Sequence, residues 1–251
     1  MSRSETPDRF LEAEITPARI RFEDVSLKLE DRVVFDGLSL DVDVSRTGLV
    51  GRNGAGKSQF LRLVAGLVKP DSGNVTVNGF DPAADRKRAT TEIGFVFQNP
   101  EHGLLFPTVL EELTFGLKAH GMGKREAEAQ AHRILARFGV PGWPDRLVHS
   151  LSQGQKHLLC LMVALAPGPG LLLLDEAFAG LDLPTETSLH RMLSRLSVAQ
   201  IAASHDLAAL ARNDSLIWID AGTVRTTGTP EQILPAYRDA MEGRILPPDA
   251  L

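Results

Sequence analysis

The sequence predicts an α/β core that carries an inserted helical lobe. Three observations predict it. Short apolar runs with strand character alternate with helix-patterned segments toward both ends of the chain. The stretch between them, 99–166, is patterned for helix almost throughout. Two of the strand-like runs end in chemistry: 47–50 opens into a glycine-rich loop, and 171–174 ends in two carboxylates.

Residues 1–19 are polar, with Pro7 and Pro17, and read as a tail. Apolar alternation marks strands at 20–25, 33–35 and 38–43. Residues 47–50 form a short strand before the glycine loop. Phe60, Leu61, Val64 and Leu67 then share one helical face. A strand pair is expected around Asn78-Gly79, and 93–97 is an apolar strand. In the lobe, Ala127, Ala131, Ile134, Leu135 and Phe138 share a face on a helix that stops at Gly139 and Pro141. Strands resume at 171–175, 199–203 and 215–220. Leu189, Met192, Leu193 and Leu196 stripe the helix between two of them, and Pro184 suits its first turn. Asp220 to Thr223 is a hairpin turn. There is no internal repeat.

Composition narrows the function. Of 251 residues, 43% are hydrophobic, enough to bury a sizeable core. The longest apolar runs, near 158–166 and 171–174, fall short of the roughly 18 residues that a membrane helix needs. The charged first twenty residues lack the apolar stretch of a signal peptide, so a cytoplasmic location is expected. The single cysteine, Cys160, excludes an internal disulfide and a cysteine-based zinc site. A net charge of −5 argues against nucleic acid as a partner and against direct attraction to anionic lipid. Any work at a membrane then calls for a protein partner to hold the chain there.

Gly51-Arg52-Asn53-Gly54-Ala55-Gly56-Lys57-Ser58 satisfies G-x-x-x-x-G-K-[ST] between a strand and a helix. Its glycines allow backbone N–H groups to wrap phosphate oxygens, and the helix adds the positive end of its dipole. Lys57 is placed to reach the β and γ phosphates of ATP, and Ser58 to bind Mg²⁺. At the end of the run Leu171–Leu174, Asp175 is a candidate Mg²⁺ ligand and Glu176 a candidate general base for water. By itself an apolar run ending in Asp-Glu is weak; beside a phosphate loop it is strong. Leu151-Ser152-Gln153-Gly154-Gln155 opens an apolar helix, and Ser152 alone would pass for an ordinary N-cap.

That last motif resembles the signature of the ATP-binding-cassette ATPases, with Gln153 where glycine is usual. Gln98 stands as the Q-loop, Asp182 lies in the D-loop Ala179-Gly180-Leu181-Asp182, and His205 follows a strand as the switch histidine. The resemblance covers nearly all of 20–235. It implies a P-loop ATP-binding-cassette fold with an antiparallel β subdomain and an inserted helical subdomain. The nucleotide-binding core would be 20–98 and 167–228, the signature subdomain 99–166, and 229–251 a C-terminal helix and tail. It also implies a head-to-tail pair of ATPase subunits, with Ser152 and Gly154 of one touching the γ-phosphate held by the other. Gln98 would sense Mg²⁺ and the attacking water, His205 would orient Glu176, and Asp182 would organise the facing site. Two departures bear on the site. Leu29 stands where many relatives stack an aromatic residue on adenine, and Ala177 replaces a proline, which is expected to loosen the turn after Glu176.

Gln98-Asn99-Pro100-Glu101-His102 with Phe106-Pro107-Thr108-Val109 resembles the ATPases of energy-coupling-factor importers, although Gly103 stands where glutamine is common. The stretches 151–162 and 178–185 look most like the ATPases of biotin importers. Such a resemblance implies a transmembrane coupling subunit, a separate membrane protein that captures substrate, and a peripheral position on the inner face of the membrane. Leu104, Leu105 and Phe106 are then expected at the partner interface, or else inside the helical lobe. A cobalt or nickel importer of the same class is the nearest alternative. A non-transport ATPase of this fold is the alternative from another class. The stretch 99–150 is too short for the long coiled coil of the chromosome and repair members, and the single phosphate loop departs from the two-cassette translation factors.

Overall fold

The computed structural model describes residues 14–30 and 32–242. In chain order the strands are β1 (Ala18–Leu29), β2 (Arg32–Val44), β3 (Arg46–Val50), β4 (Ser72–Val77), β5 (Ile93–Val96), β6 (Leu171–Asp175), β7 (Ala199–Ala203), β8 (Ser215–Asp220) and β9 (Thr223–Gly228). The helices are α1 (Lys57–Val64), α2 (Arg86–Glu92), α3 (Val109–Ala119), α4 (Lys124–Arg137), α5 (Gln153–Leu165), α6 (Leu183–Leu193), α7 (Leu207–Leu210) and α8 (Pro230–Glu242). Residues 1–13 and 243–251, parts of the two tails read from sequence, lie outside the described residues, and β1 already begins at Ala18.

Two sheets organise the chain. The first is antiparallel, in the order β2-β1-β4. The strand signals at 33–35 and 38–43 belong to one strand, β2, because register shifts between Phe22 and Lys28 on β1 absorb the break in alternation. Asp24 and Gly37 take left-handed conformations at that irregularity. The second sheet has the order β5-β6-β7-β3-β8-β9. Its first five strands run parallel, and β9 returns antiparallel to β8. The β8–β9 turn is Ala221-Gly222, both at positive φ, which matches the right-handed twist of a two-residue hairpin.

β6 shows why the core divides in two. All five of its residues are buried, as expected for a parallel strand covered on both faces. Leu171 and Leu173 point to the face shared with Phe60, Leu61 and Val64 of α1 and with Ile20, Phe22 and Val75 of the antiparallel sheet. Leu172 and Leu174 point the other way, against Leu159, Leu161 and Met162 of α5 and on to Leu113 of α3 and Leu135 of α4. α1 is thus sandwiched between the sheets, with Phe22 and Phe60 stacked at 4.6 Å between ring centres. The helical segment is packed onto the opposite face.

Two expectations are corrected. Leu67 does not join the α1 stripe, because the helix stops at Val64 and Gly66 turns left-handed; Leu67 is left exposed. Asn78-Gly79 does make a tight turn, but the return is the single bridge Val77↔Phe80 and not a strand. Pro82 comes two residues later and has no N–H to extend the ladder. Among the described residues, no helix is long and apolar enough to cross a membrane.

Candidate active site

Parallel neighbours in a sheet end on the same edge, and this edge gathers the motifs. The register pairs Val96 with Leu174, Asp175 with Ala203, and Leu49 with Ala203. The segments leaving these strands therefore converge: Gln98 after β5, Glu176 after β6, His205 after β7, and the glycine loop after β3.

The loop from Gly51 to Gly56 requires its glycines for two reasons. A Cβ on Gly51 would stand 2.2 Å from the Ile219 carbonyl oxygen, so only glycine fits under β8. Gly54 (φ 75) and Gly56 (φ 107) take left-handed conformations that a side chain would strain. Gly56 is the N-cap of α1 and offers no side chain to the first turn, which leaves those N–H groups for a ligand. Arg52 and Asn53 are exposed, and Ala55 is buried beneath them, its N–H donating to the Arg52 carbonyl at 3.1 Å.

Lys57 is buried, and its Nζ donates to the carbonyls of Gly51 (2.7 Å) and Arg52 (3.2 Å). Burial pulls the ammonium below its usual pKa, and the carboxylates of Glu176 and Asp175 oppose that pull. Ser58 Oγ donates to Asp175 Oδ1 at 2.8 Å. Burial raises the Asp175 pKa, and the Ser58 hydroxyl, Arg62 and Lys57 counter it. A carboxylate so buried beside a single hydroxyl has unused acceptor capacity facing the loop.

Glu176 lies between Gln98 and His205. Gln98 Nε2 donates to Glu176 Oε2 at 3.4 Å, and the His205 Nε2–H donates to Glu176 Oε1 at 2.6 Å. The backbone of Glu176 is itself left-handed (φ 49), a conformation that costs a non-glycine residue about 1–3 kcal/mol and persists only when its surroundings hold it. The Glu176 N–H donates to the Ala203 carbonyl, and the Ala179 N–H closes the turn onto the Glu176 carbonyl, both at 3.1 Å. Ala177, inside this turn, is buried.

Ser152, Gly154 and Asp182 form a second group, apart from the first. Ser152 is the N-cap of α5 in a capping box: its Oγ accepts from the Gln155 N–H, and Gln155 Oε1 accepts from the Ser152 N–H. Asp182 caps α6 by accepting from the Thr185 N–H at 2.9 Å, and hydrogen bonding by the Thr185 side chain and then by this N–H holds its carboxyl below the usual range. Gly154 joins the two caps, since a Cβ there would meet Thr185 Cγ2 at 2.4 Å. The signature thus meets the helix that the D-loop caps inside a single chain. Leu29, at the end of β1, lines an open depression that also borders Gly54 and Gly56.

Sequence reasoning missed two residues. Arg32 donates Nη2 to the Gly54 carbonyl at 2.9 Å and so braces the loop from β2. Glu112 is buried, and its Oε2 accepts from the N–H groups of Leu105 (2.7 Å) and Phe106 (2.8 Å), fixing the segment after Gln98. Neither carries a spacing signal; Arg32 works through a carbonyl 22 residues on, and Glu112 through amides six and seven residues back, in the segment before α3.

Comparison with known proteins bears on this geometry. A sequence model of the ABC transporter family matches residues 35–179. The biotin transport ATP-binding protein BioM of Rhodobacter capsulatus is 44% identical over 218 residues, 87% of this chain and 93% of that protein. BioM of Rhizobium etli is 37% identical over 220 residues, covering 88% and 98%. The solved structure of cbiO1 from Clostridium perfringens, part of the ABC transporter complex cbiONQ, superposes with a TM-score of 0.76 at 25% identity, covering 90% of this chain and 94% of that one. The likeness read from the motifs is borne out. Family match and shared sheet edge agree, and the protein belongs to the ABC transporter family as one of its ATP-hydrolysing subunits.

Proposed function

We propose that this ATPase drives an energy-coupling-factor importer whose cargo is biotin. The observation that carries the reading is the 44% identity, spread over most of both chains, to a biotin transport ATP-binding protein. Surface chemistry supports a membrane partner. Leu105 is 74% exposed, and the Phe106 ring lies 4.6 Å from the half-exposed ring of Phe115. This apolar patch, in the segment that follows Gln98 in the chain, suits a cytoplasmic helix of a transmembrane coupling subunit. Leu104 departs from the interface expectation and packs inward. A separate membrane protein would capture the vitamin, and the ATPase would sit on the inner face of the membrane through these partners.

In this reading two copies pair head to tail around two ATP molecules. Lys57 exchanges its two carbonyl partners for the β and γ phosphates. Ser58 and Asp175 fit Mg²⁺, a hard cation that takes few protein oxygens and completes its shell with phosphates and water. Glu176 takes a proton from the attacking water, held in place by His205 and Gln98. Ser152 and Gly154 of the facing copy complete the γ-phosphate site, and Asp182 sits at the seam.

The test is uptake of labelled biotin by cells carrying this ATPase with its membrane partners, compared with cells carrying Glu176→Gln. Loss of biotin uptake in the variant is expected. Loss of cobalt or nickel uptake with biotin uptake intact would move the assignment to a metal importer of the same class. Indifference of every vitamin and metal to Glu176 would remove the importer reading.

A further inference from the structure

We propose that the Arg32 guanidinium is the platform on which the base of the bound nucleotide rests, with Leu29 forming the apolar wall beside it. The depression next to Gly54 and Gly56 has a volume of about 510 Å³ and is lined by Leu29, Glu30, Arg32, Val34 and Gln59. Lys57 and Ser58 fix the phosphate end of the nucleotide at the start of α1. The depression shares Gly54 and Gly56 with that loop, so it receives the sugar and base.

Leu29 and Val34 can touch a ring but offer no π surface. Among the described residues of this wall, Arg32 is the one cation, and its guanidinium is flat and delocalised. The group is also held in place. Nη2 donates to the Gly54 carbonyl at 2.9 Å, and a Cβ built on Gly54 would stand 3.1 Å from Nη2, 3.5 Å from Nη1 and 3.8 Å from Cζ. The guanidinium therefore lies along the loop instead of trailing into solvent. A planar cation against a ring face attracts by the ring quadrupole and by contact area, so it favours the larger purine over a pyrimidine. It does not read the Watson–Crick edge, so adenine and guanine are held about equally.

The inference rests on nucleotide binding at this loop, and its test separates the two. ATP, CTP and inorganic tripolyphosphate are titrated by calorimetry into the full chain with Mg²⁺, as wild type, Arg32→Ala and Arg32→Lys. Arg32→Ala should weaken ATP binding by roughly 2- to 5-fold, weaken CTP binding less, and leave tripolyphosphate unchanged. Arg32→Lys keeps the charge and loses the plane, and should restore ATP affinity only in part. An equal loss for ATP, CTP and tripolyphosphate would make Arg32 a brace or a phosphate ligand and overturn the proposal. So would unchanged ATP affinity in Arg32→Ala. A wild type that bound none of the three would overturn the nucleotide site itself.

Discussion

The His205 ring N–H donates to Glu176 across 2.6 Å, tying the end of β7 to the end of β6. The other oxygen of the same carboxylate faces Gln98 at 3.4 Å. Glu176 is thus contacted from both sides, on a backbone that is itself left-handed (φ 49).

That arrangement predicts a clean separation of binding from chemistry. Glu176→Gln keeps the shape and the hydrogen-bonding capacity toward Gln98 but cannot accept a proton from water. Phosphate release should fall at least ~100-fold, the lower end of what a positioned general base contributes. ATP affinity should be little changed, and the variant should accumulate as an ATP-bound dimer, visible by size-exclusion chromatography. Adding Ser152→Arg should abolish that dimer. Normal phosphate release by Glu176→Gln would remove Glu176 from the role of base.

Lys57 gives a prediction of the opposite kind. Its ammonium is buried, held by two backbone carbonyls, and close to Glu176 and Asp175. Lys57→Ala removes the positive charge that balances both carboxylates and the incoming phosphates. ATP binding should drop by at least ~10-fold, since a charge-assisted contact contributes about 1.5–3 kcal/mol. Equal affinity in a titration with Mg²⁺ present would contradict the placement of the β and γ phosphates.

Most of this site was legible because its chemistry is local in sequence. The eight residues from Gly51 to Ser58 carry their own geometry, and the run Leu171–Leu174 announces a strand buried on both faces. The parallel order of β5, β6 and β7 then had to bring Gln98, Glu176 and His205 together. The illegible part depends on distant backbone groups. Nothing in the sequence around Arg32 says that its guanidinium reaches the Gly54 carbonyl. Glu112 looks like an ordinary acid in the first turn of a helix, where the dipole favours it, and nothing local announces that it is buried under the N–H groups of Leu105 and Phe106. The missed end of α1 had a visible signal in Gly66, outweighed by the apolar period that ran on to Leu67.

The contact between Gly154 and Thr185 predicts a stability effect with a built-in rescue. Gly154→Ala would place a methyl group 2.4 Å from Thr185 Cγ2, well inside van der Waals contact. Thr185 is β-branched, and both its N–H and its side chain hydrogen-bond to the capping Asp182 carboxylate, so it cannot swing away freely. Overpacking of this kind costs about 1–3 kcal/mol. The midpoint of denaturant unfolding should fall in Gly154→Ala and recover in Gly154→Ala with Thr185→Ser, which deletes the clashing methyl. A double variant as unstable as the single one would show that the strain lies elsewhere.

Leu29 can be turned into a stacking residue. Leu29→Tyr places a ring in the wall of the depression and should tighten ATP binding a few-fold, since an aromatic contact adds about 0.5–1.5 kcal/mol beyond area burial. The gain should be larger when Arg32 is alanine than in the wild type, because two platforms for one base are partly redundant. Calorimetric titration of the four chains measures both effects. Weaker binding in Leu29→Tyr would place the base outside this depression.

Glu112 predicts a way to uncouple the ATPase from its partner without touching the reacting groups. Its buried carboxylate holds the N–H groups of Leu105 and Phe106, and these residues present the apolar patch of the segment after Gln98. Glu112→Leu leaves both part-buried donors without that acceptor, which costs up to about 1–3 kcal/mol for each donor that water does not reach. The segment can recover part of that only by opening to water, which spoils the patch. Amide hydrogen exchange at Leu105 and Phe106 should therefore speed up, while exchange at Lys57 and Ser58 stays as in the wild type. Glu112→Gln retains an oxygen of the same reach and should fall between the two. In cells, Glu112→Leu should lower biotin uptake while the purified subunit still hydrolyses ATP at its basal rate. Unchanged exchange at both amides would mean that the loop holds its shape without Glu112, and the positioning role would be lost.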